Sequence, residues 1–121
     1  MTPENISIVD NTVTIEGDMD ALSVKSLRSA FDELAEEERG DLILDISQVP
    51  FIDSSGIGAL VFLFKRLTAK GRKMEIRGVT DQPRQLFMYL RIDKTIKVTY
   101  ATSAGNAASP YYQQSNSAAA S

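Results

Sequence analysis

A short polar turn separates two strongly apolar segments near the middle of the chain, and this arrangement constrains the fold more than any other feature. Residues 42–46 (LILDI) are apolar at nearly every position, which is typical of a strand that is central or covered on both faces. Residues 57–67 have the length and composition of a helix. Between them, residues 53–56 (DSSG) place two hydroxyls where a strand leads into a helix. Because a helix start carries unpaired N–H donors and partial positive charge, a serine there can be a cap, a nucleophile or a phosphate acceptor.

The first part of the chain predicts a hairpin followed by an amphipathic helix. Alternating apolar residues on either side of the turn pair Asp10-Asn11 predict the hairpin. Apolar residues then recur at i, i+3, i+4 and i+7, which predicts a helix over 22–38 that Gly40 ends. The predicted buried stripe of this helix consists of Leu27, Ala30, Phe31 and Leu34.

The rest of the chain alternates strands with helices. The predicted elements after residues 42–46 are a helix over 55–70 stopped by Gly71, a strand over 73–78, a helix from Asp81 with Pro83 in its first turn, and a strand over 95–100. In the third helix, Leu86, Phe87 and Leu90 are expected to face the core. Met88 lies off this stripe and is expected to be half-buried, with an apolar contact to a partner as the alternative. A basic cluster is interpreted as the solvated end of the second helix, and it consists of Lys65, Arg66, Lys70, Arg72 and Lys73.

The order ββ-αβ-αβ-αβ predicts a single α/β domain. Right-handed crossovers then give a mixed sheet of four to five strands, in which the later strands are parallel and the helices pack mainly on one face. From residue 101 the sequence is uncharged and rich in Ala, Ser, Asn and Gln. We therefore predict a domain over 1–100 and a C-terminal tail over 101–121 that is a short frayed helix or disordered.

Composition and charge argue against several classes of function. A net charge of -3 disfavours binding to a nucleic-acid backbone. The chain has no cysteine and no histidine, which removes disulfides, thiolate metal sites and the usual general base of hydrolases. The N-terminus lacks the pattern of a secretory signal, and the longest apolar run is too short to span a bilayer. A cytoplasmic protein is expected.

The polar turn matches no catalytic motif. The residues two positions before Ser54 and Ser55 are Ile52 and Asp53, so the Gly-x-Ser-x-Gly elbow of serine hydrolases is absent. Gly56 and Gly58 are followed by a valine where the dinucleotide fingerprint requires glycine or alanine, and no P-loop is present. We therefore predict a protein that is not an enzyme and needs no cofactor. Passive nucleotide binding remains an alternative, and so does a cation site or an enzyme built from Asp18, Asp20, Asp45 and Asp53.

Residues 51–58 (FIDSSGIG), the strand before them and residues 17–20 (GDMD) resemble the STAS domain, and more closely the bacterial anti-sigma factor antagonists. The resemblance covers about residues 5–100. In that family the serine directly after the aspartate is phosphorylated by a partner kinase that is itself the anti-sigma factor. The resemblance therefore implies Ser54 as the phosphate acceptor, with Ser55 as the second choice.

This resemblance implies a regulator that acts by partner switching. The unphosphorylated chain would bind an anti-sigma factor with serine kinase activity and free its target, phosphorylation of Ser54 would release it, and a phosphatase would reset the switch. The implied partner-binding residues are Asp18, Asp20, Asp53, Ser54, Ser55, Gly56 and Ile57. A monomer or weak dimer without direct nucleic-acid contact or membrane insertion is expected. The alternative is a non-catalytic STAS scaffold or a subunit of a larger complex, such as a lipid transporter or a stressosome-like assembly.

Overall fold

The structure, a computed structural model, describes residues 5–37 and 40–101, and this part of the chain contains five strands and three α-helices. The strands are β1 (Ile6–Val9), β2 (Thr12–Glu16), β3 (Leu42–Gln48), β4 (Met74–Val79) and β5 (Lys97–Tyr100). The helices are α1 (Ala21–Glu36), α2 (Ser54–Ala69) and α3 (Asp81–Leu90). Apart from Ala101, the predicted tail lies outside the described residues. No helix within the described ranges is long and apolar enough to cross a membrane.

The five strands form one mixed sheet in the order β1-β2-β3-β4-β5. β1 pairs with β2 antiparallel, as the predicted hairpin requires, and every later pair is parallel. Because the strand order follows the chain, each right-handed crossover moves in the same direction across the sheet and leaves its helix on the same face. The predicted α/β domain with a mixed sheet is confirmed, with five strands.

The core lies between this face of the sheet and the helices. The apolar stripe predicted for α1 is buried at all four positions. In β3, Leu42, Leu44 and Ile46 are fully buried, whereas Ile43 and Asp45 on the other face are half-buried. β3 is therefore central in the sheet, and its apolar character comes from one fully covered face and one that is partly covered.

The end of α1 differs from its prediction. The helix ends at Glu36, and Glu37 after it is extended, so Gly40 is not the residue that stops it. The carbonyl oxygens at this end are instead satisfied by Arg72, which is 9% exposed and belongs to the segment before β4. Its guanidinium donates hydrogen bonds of 3.0–3.3 Å to the carbonyl oxygens of Leu34, Ala35, Glu37 and Gly40. The prediction of a solvated basic cluster is wrong for Arg72, because helix-end carbonyls need donors and a guanidinium supplies several.

The last elements also depart from prediction. Phe87 is fully buried as expected, and Leu86 is half-buried. Leu90 is 44% exposed and Met88 53% exposed, so the predicted core position of Leu90 and the half-buried Met88 are both wrong. The buried residues of α3 are Pro83 and Phe87, and the last turn of the helix, which ends at Leu90 before a left-handed Arg91, lies at the surface. β5 then begins at Lys97, two residues later than predicted.

Candidate functional site

The candidate site lies at the edge of the sheet where the parallel strands end and the helices begin. The carboxyl ends of β2, β3 and β4 lead directly into α1, α2 and α3. We call the surface formed by residues 17–20, 51–55 and 80–82 the helix-start edge. Three helix N-termini therefore meet there, each with N–H groups that lack partners inside the helix.

Two of these segments are joined by backbone hydrogen bonds. The N–H of Met19 donates to the carbonyl oxygen of Phe51 at 2.9 Å, and the N–H of Asp53 donates to that of Met19 at 3.1 Å. Met19 and Ile52 thereby form an isolated parallel bridge beyond the end of the sheet. Residues 17–20 and 51–53, which are far apart in the sequence, lie side by side.

A glycine makes this close approach possible. A Cβ atom on Gly56 would lie 2.5 Å from the carbonyl oxygen of Met19 and 2.6 Å from Cγ1 of Ile52, so no other residue fits without a shift. Gly56 and Ile57 are both buried, and Ile57 is 8% exposed. These two of the predicted site residues support the helix-start edge from beneath and do not line its surface.

Asp20 closes the start of α1. Its carboxylate accepts hydrogen bonds from the N–H groups of Leu22 (3.1 Å) and Ser23 (3.0 Å). The hydroxyl of Ser23 accepts from the N–H of Asp20 at 3.0 Å and donates to the carbonyl oxygen of Asp18 at 2.7 Å, which completes a capping box. The hydrogen bond from the Ser23 amide is the main cause that lowers the pKa of Asp20. Sequence reasoning missed Ser23, which has the three-residue spacing of a capping box but is a serine where glutamate or glutamine is usual.

Asp53 closes the start of α2. Its carboxylate accepts hydrogen bonds from the N–H groups of Ser55 (2.8 Å) and Gly56 (3.1 Å). Ser54 is the first residue of the helix and is exposed, while Ser55 is half-buried. Neither serine hydroxyl makes a hydrogen bond to any residue in the described part of the chain. The cap is therefore the aspartate, and both hydroxyls are available for another role.

Gln82 holds the segment before Ser54 from the side opposite to Met19. Its side-chain oxygen accepts a hydrogen bond from the N–H of Ile52 at 2.9 Å, and its side-chain nitrogen donates to the carbonyl oxygen of Ile52 at 2.9 Å. Sequence reasoning missed this residue. No local signal identifies it, because its partner is 30 positions away in the chain.

Three of the four aspartates considered as a cation site, Asp20, Asp45 and Asp53, serve other roles. Asp20 and Asp53 cap helices, and the carboxylate of Asp45 accepts a hydrogen bond from the N–H of Ser47 at 2.9 Å. Among residues 5–37 and 40–101, no three acidic side chains are placed to hold a metal ion together. The structure therefore offers these carboxylates as hydrogen-bond acceptors for the backbone.

Comparison with known sequences identifies the family pattern across most of the chain. The model of the STAS domain family matches residues 3–105. The anti-sigma-B factor antagonist of Bacillus subtilis is 27% identical over 96 residues, which cover 79% of this chain and 87% of the relative. The anti-sigma-B factor antagonist of Staphylococcus aureus is 27% identical over 75 residues, 62% of this chain and 69% of the relative.

Solved structures share the same architecture. The crystal structure of an anti-sigma factor antagonist from Mycobacterium paratuberculosis matches with a TM-score of 0.69 and 20% identity, over 84% of this chain and 87% of that chain. The anti-sigma factor antagonist SpoIIAA in its unphosphorylated form matches with a TM-score of 0.61 and 20% identity, over 83% and 90% of the two chains. At this level of identity the likeness concerns the fold.

Proposed function

Because the chain belongs to the STAS domain family, we propose that it is an anti-sigma factor antagonist that acts by partner switching. In its unphosphorylated form it binds an anti-sigma factor with serine kinase activity, which frees the target of that factor. Phosphorylation of Ser54 ends the binding, and a phosphatase restores it. The observation that carries the proposal is the exposed Ser54 hydroxyl at the start of a helix whose cap is already provided by Asp53.

The start of α2 is suited to receive a phosphoryl group. The kinase would transfer the γ-phosphoryl of ATP to the Ser54 oxygen, while ADP leaves and a base of the kinase takes the hydroxyl proton. The product is a dianion at a helix N-terminus, where the dipole favours negative charge, beside the Asp53 carboxylate that already holds the N–H groups of Ser55 and Gly56. Since Ser54 is exposed, the added group needs no opening of the core.

The comparisons support a fold that tolerates this modification. SpoIIAA is known in a phosphorylated form that matches this chain with a TM-score of 0.61, the same value as its unphosphorylated form. We expect the phosphorylated chain to keep its fold in the same way, so that the switch acts on the partner and requires no large conformational change.

The proposed contact surface extends from the helix-start edge along α2. Five of the predicted contact residues, Asp18, Asp20, Asp53, Ser54 and Ser55, lie on the helix-start edge. Gly58 and Phe62 follow Ser54 at intervals of four residues on the same exposed stripe of α2, and Phe62 is 44% exposed. The guanidinium of Arg66 lies over one face of the Phe62 ring, 5.6 Å from its centroid.

Phosphorylation would weaken binding by adding charge where a partner must displace water. The phosphoryl group adds a charge of about -1.5 to -2 to a surface that already carries four aspartates, Asp18, Asp20, Asp53 and Asp81. A loss of roughly 3 kcal/mol in binding corresponds to about 150-fold weaker affinity, which is sufficient for a switch.

The experiment compares Ser54→Asp with Ser54→Ala against the purified anti-sigma factor kinase of the organism that encodes this chain. We expect Ser54→Asp to bind on the order of 100-fold more weakly than Ser54→Ala, with Tm values that differ by only a few degrees. In the presence of ATP, mass spectrometry should find one phosphoryl group on Ser54 of the wild-type chain. Ser55→Ala is the matched control and should still be phosphorylated.

Equal binding of Ser54→Asp and Ser54→Ala would refute the switch. Phosphate found on Ser55 alone would show that Ser55, and not Ser54, is the phosphate acceptor. A chain that binds no kinase and elutes as a large assembly would favour the scaffold alternative. A chain of the stressosome, which is described as a signal integration and transduction hub, is a structural neighbour with a TM-score of 0.56.

A further inference from the structure

The side-chain amide of Gln82 forms two hydrogen bonds of 2.9 Å each with the backbone of Ile52. Ile52 lies two residues before Ser54, and Gln82 is the second residue of α3. We propose that Gln82 is a positioning residue that fixes the Ser54 turn and couples the start of α3 to partner binding. The binding part of this inference rests on the proposed function, while the structural part does not.

Glutamine suits this position because its amide presents one donor and one acceptor side by side. It pairs with the Ile52 N–H and carbonyl as a neighbouring strand would. On the other side, residues 51–53 pair with Met19 through backbone hydrogen bonds. The segment that leads to Ser54 is therefore held between a backbone partner and a side chain that replaces a strand.

β4 does not provide the missing partner. It ends at Val79, and its parallel pairing with β3 ends at Asp45 and Arg77, well before Ile52. Ile52 is fully buried as a whole residue, so its backbone N–H and carbonyl have little access to water. Without Gln82 these groups would lose their partners at a buried position, which is costly.

The consequence for Ser54 is geometric. The Asp53 cap and the Ser54 hydroxyl follow Ile52 directly, so the Gln82 amide limits the directions that they can take. When the amide is removed, the hydrogen bonds that still tie residues 51–53 to another segment of the described chain are those with Met19, and the turn samples more orientations. A partner or kinase then meets the productive orientation less often, which lowers its apparent affinity.

The experiment compares Gln82→Met with Gln85→Met in the full chain. Methionine keeps the length of the side chain and removes both hydrogen bonds, and Gln85 is an exposed glutamine of the same helix. In Gln82→Met we expect amide hydrogen exchange about tenfold faster at Ile52 and Ser55, with unchanged exchange at Leu44 in β3. We also expect about tenfold weaker binding to the anti-sigma factor kinase. Gln85→Met should match the wild-type chain in every measurement.

Each result bears on a separate claim. Unchanged exchange at Ile52 in Gln82→Met would overturn the positioning role, and so would faster exchange with wild-type binding and wild-type phosphorylation of Ser54. Should Gln82→Met fail to fold, Gln82→Ala removes the same two hydrogen bonds without a long side chain and provides the same comparison, with Gln85→Ala as its control. If the proposed function itself is wrong, Ser54→Asp and Ser54→Ala bind alike in the wild-type background, and the exchange rates at Ile52 and Ser55 still test the positioning.

Discussion

The starts of α1 and α2 are both capped by an aspartate, but the serine that follows each cap has a different role. Each helix begins after an aspartate whose carboxylate accepts two backbone N–H groups. At α1, Ser23 returns a hydrogen bond to Asp20, and its hydroxyl is fully used inside the chain. At α2, the hydroxyl of Ser54 is exposed and makes no hydrogen bond within the described ranges. An aspartate cap can therefore form a capping box with a serine, as at α1, or leave the hydroxyl of a neighbouring serine without a structural role, as at α2.

The two starts also differ in what holds them in place. The two starts share the backbone hydrogen bonds between Met19 and residues 51–53, and the start of α1 is otherwise held by local hydrogen bonds among residues 18–23. The start of α2 is held by distant residues, namely Met19 on one side and Gln82 on the other. An open hydroxyl thus lies on a segment whose position comes from tertiary contacts.

The largest expected effect comes from forcing the two starts apart. Gly56→Ala places a Cβ 2.5 Å from the Met19 carbonyl, and we expect it to lower the free energy of unfolding by about 3 kcal/mol. Gly58→Ala is the matched control, because its Cβ would meet nothing within 4 Å, and we expect it to raise that free energy by about 1 kcal/mol. Urea denaturation measures both variants. A Gly56→Ala variant as stable as the wild-type chain would contradict the close contact.

A smaller effect separates the two serines. Ser23→Ala removes the side chain that completes the capping box, and we expect a loss of about 1 kcal/mol in the free energy of unfolding. Ser54→Ala removes an exposed hydroxyl, and we expect a change within about 0.5 kcal/mol. Urea denaturation of the two single variants tests this difference. Equal losses would mean that Ser54 also has a structural role.

The smallest effect is the acid response of the α1 cap. The pKa of Asp20 is lowered below 3.8, mainly by the Ser23 amide, so the folded state binds this proton less readily than the unfolded state. The stabilisation by the Asp20 carboxylate is therefore present above pH 3.8 and is lost as the pH falls through the lower folded-state pKa. NMR titration of the Asp20 side chain should give a midpoint below 3.8 in the wild-type chain and a slightly higher midpoint in Ser23→Ala, because that variant keeps the amide and loses the Ser23 hydroxyl, which is a smaller cause of the lowered pKa. A midpoint at or above 3.8 in the wild-type chain would contradict the cap geometry.

Local sequence patterns predict most of the fold. The apolar stripe of α1, the hairpin and the stop of α2 at Gly71, which has a φ of +73°, all follow from the residues in each segment. The error at the end of α1 arises because a distant residue supplies the hydrogen bonds there. Arg72 satisfies the carbonyls at the end of α1, which removes the need for Gly40 as a stop. A pattern within one segment cannot show that a side chain more than 30 positions away supplies its hydrogen bonds.

The sequence by itself determined that a polar turn with two serines stands between a buried strand and a helix, because apolar periodicity and helix-start chemistry are local properties. Only the tertiary structure decided that Asp53 is the cap, that Ser54 is exposed and that Gln82 and Met19 hold the turn from both sides. The physical reason is that hydrogen bonds and close contacts depend on which surfaces the folded sheet brings together, and the order of residues within a segment does not specify this.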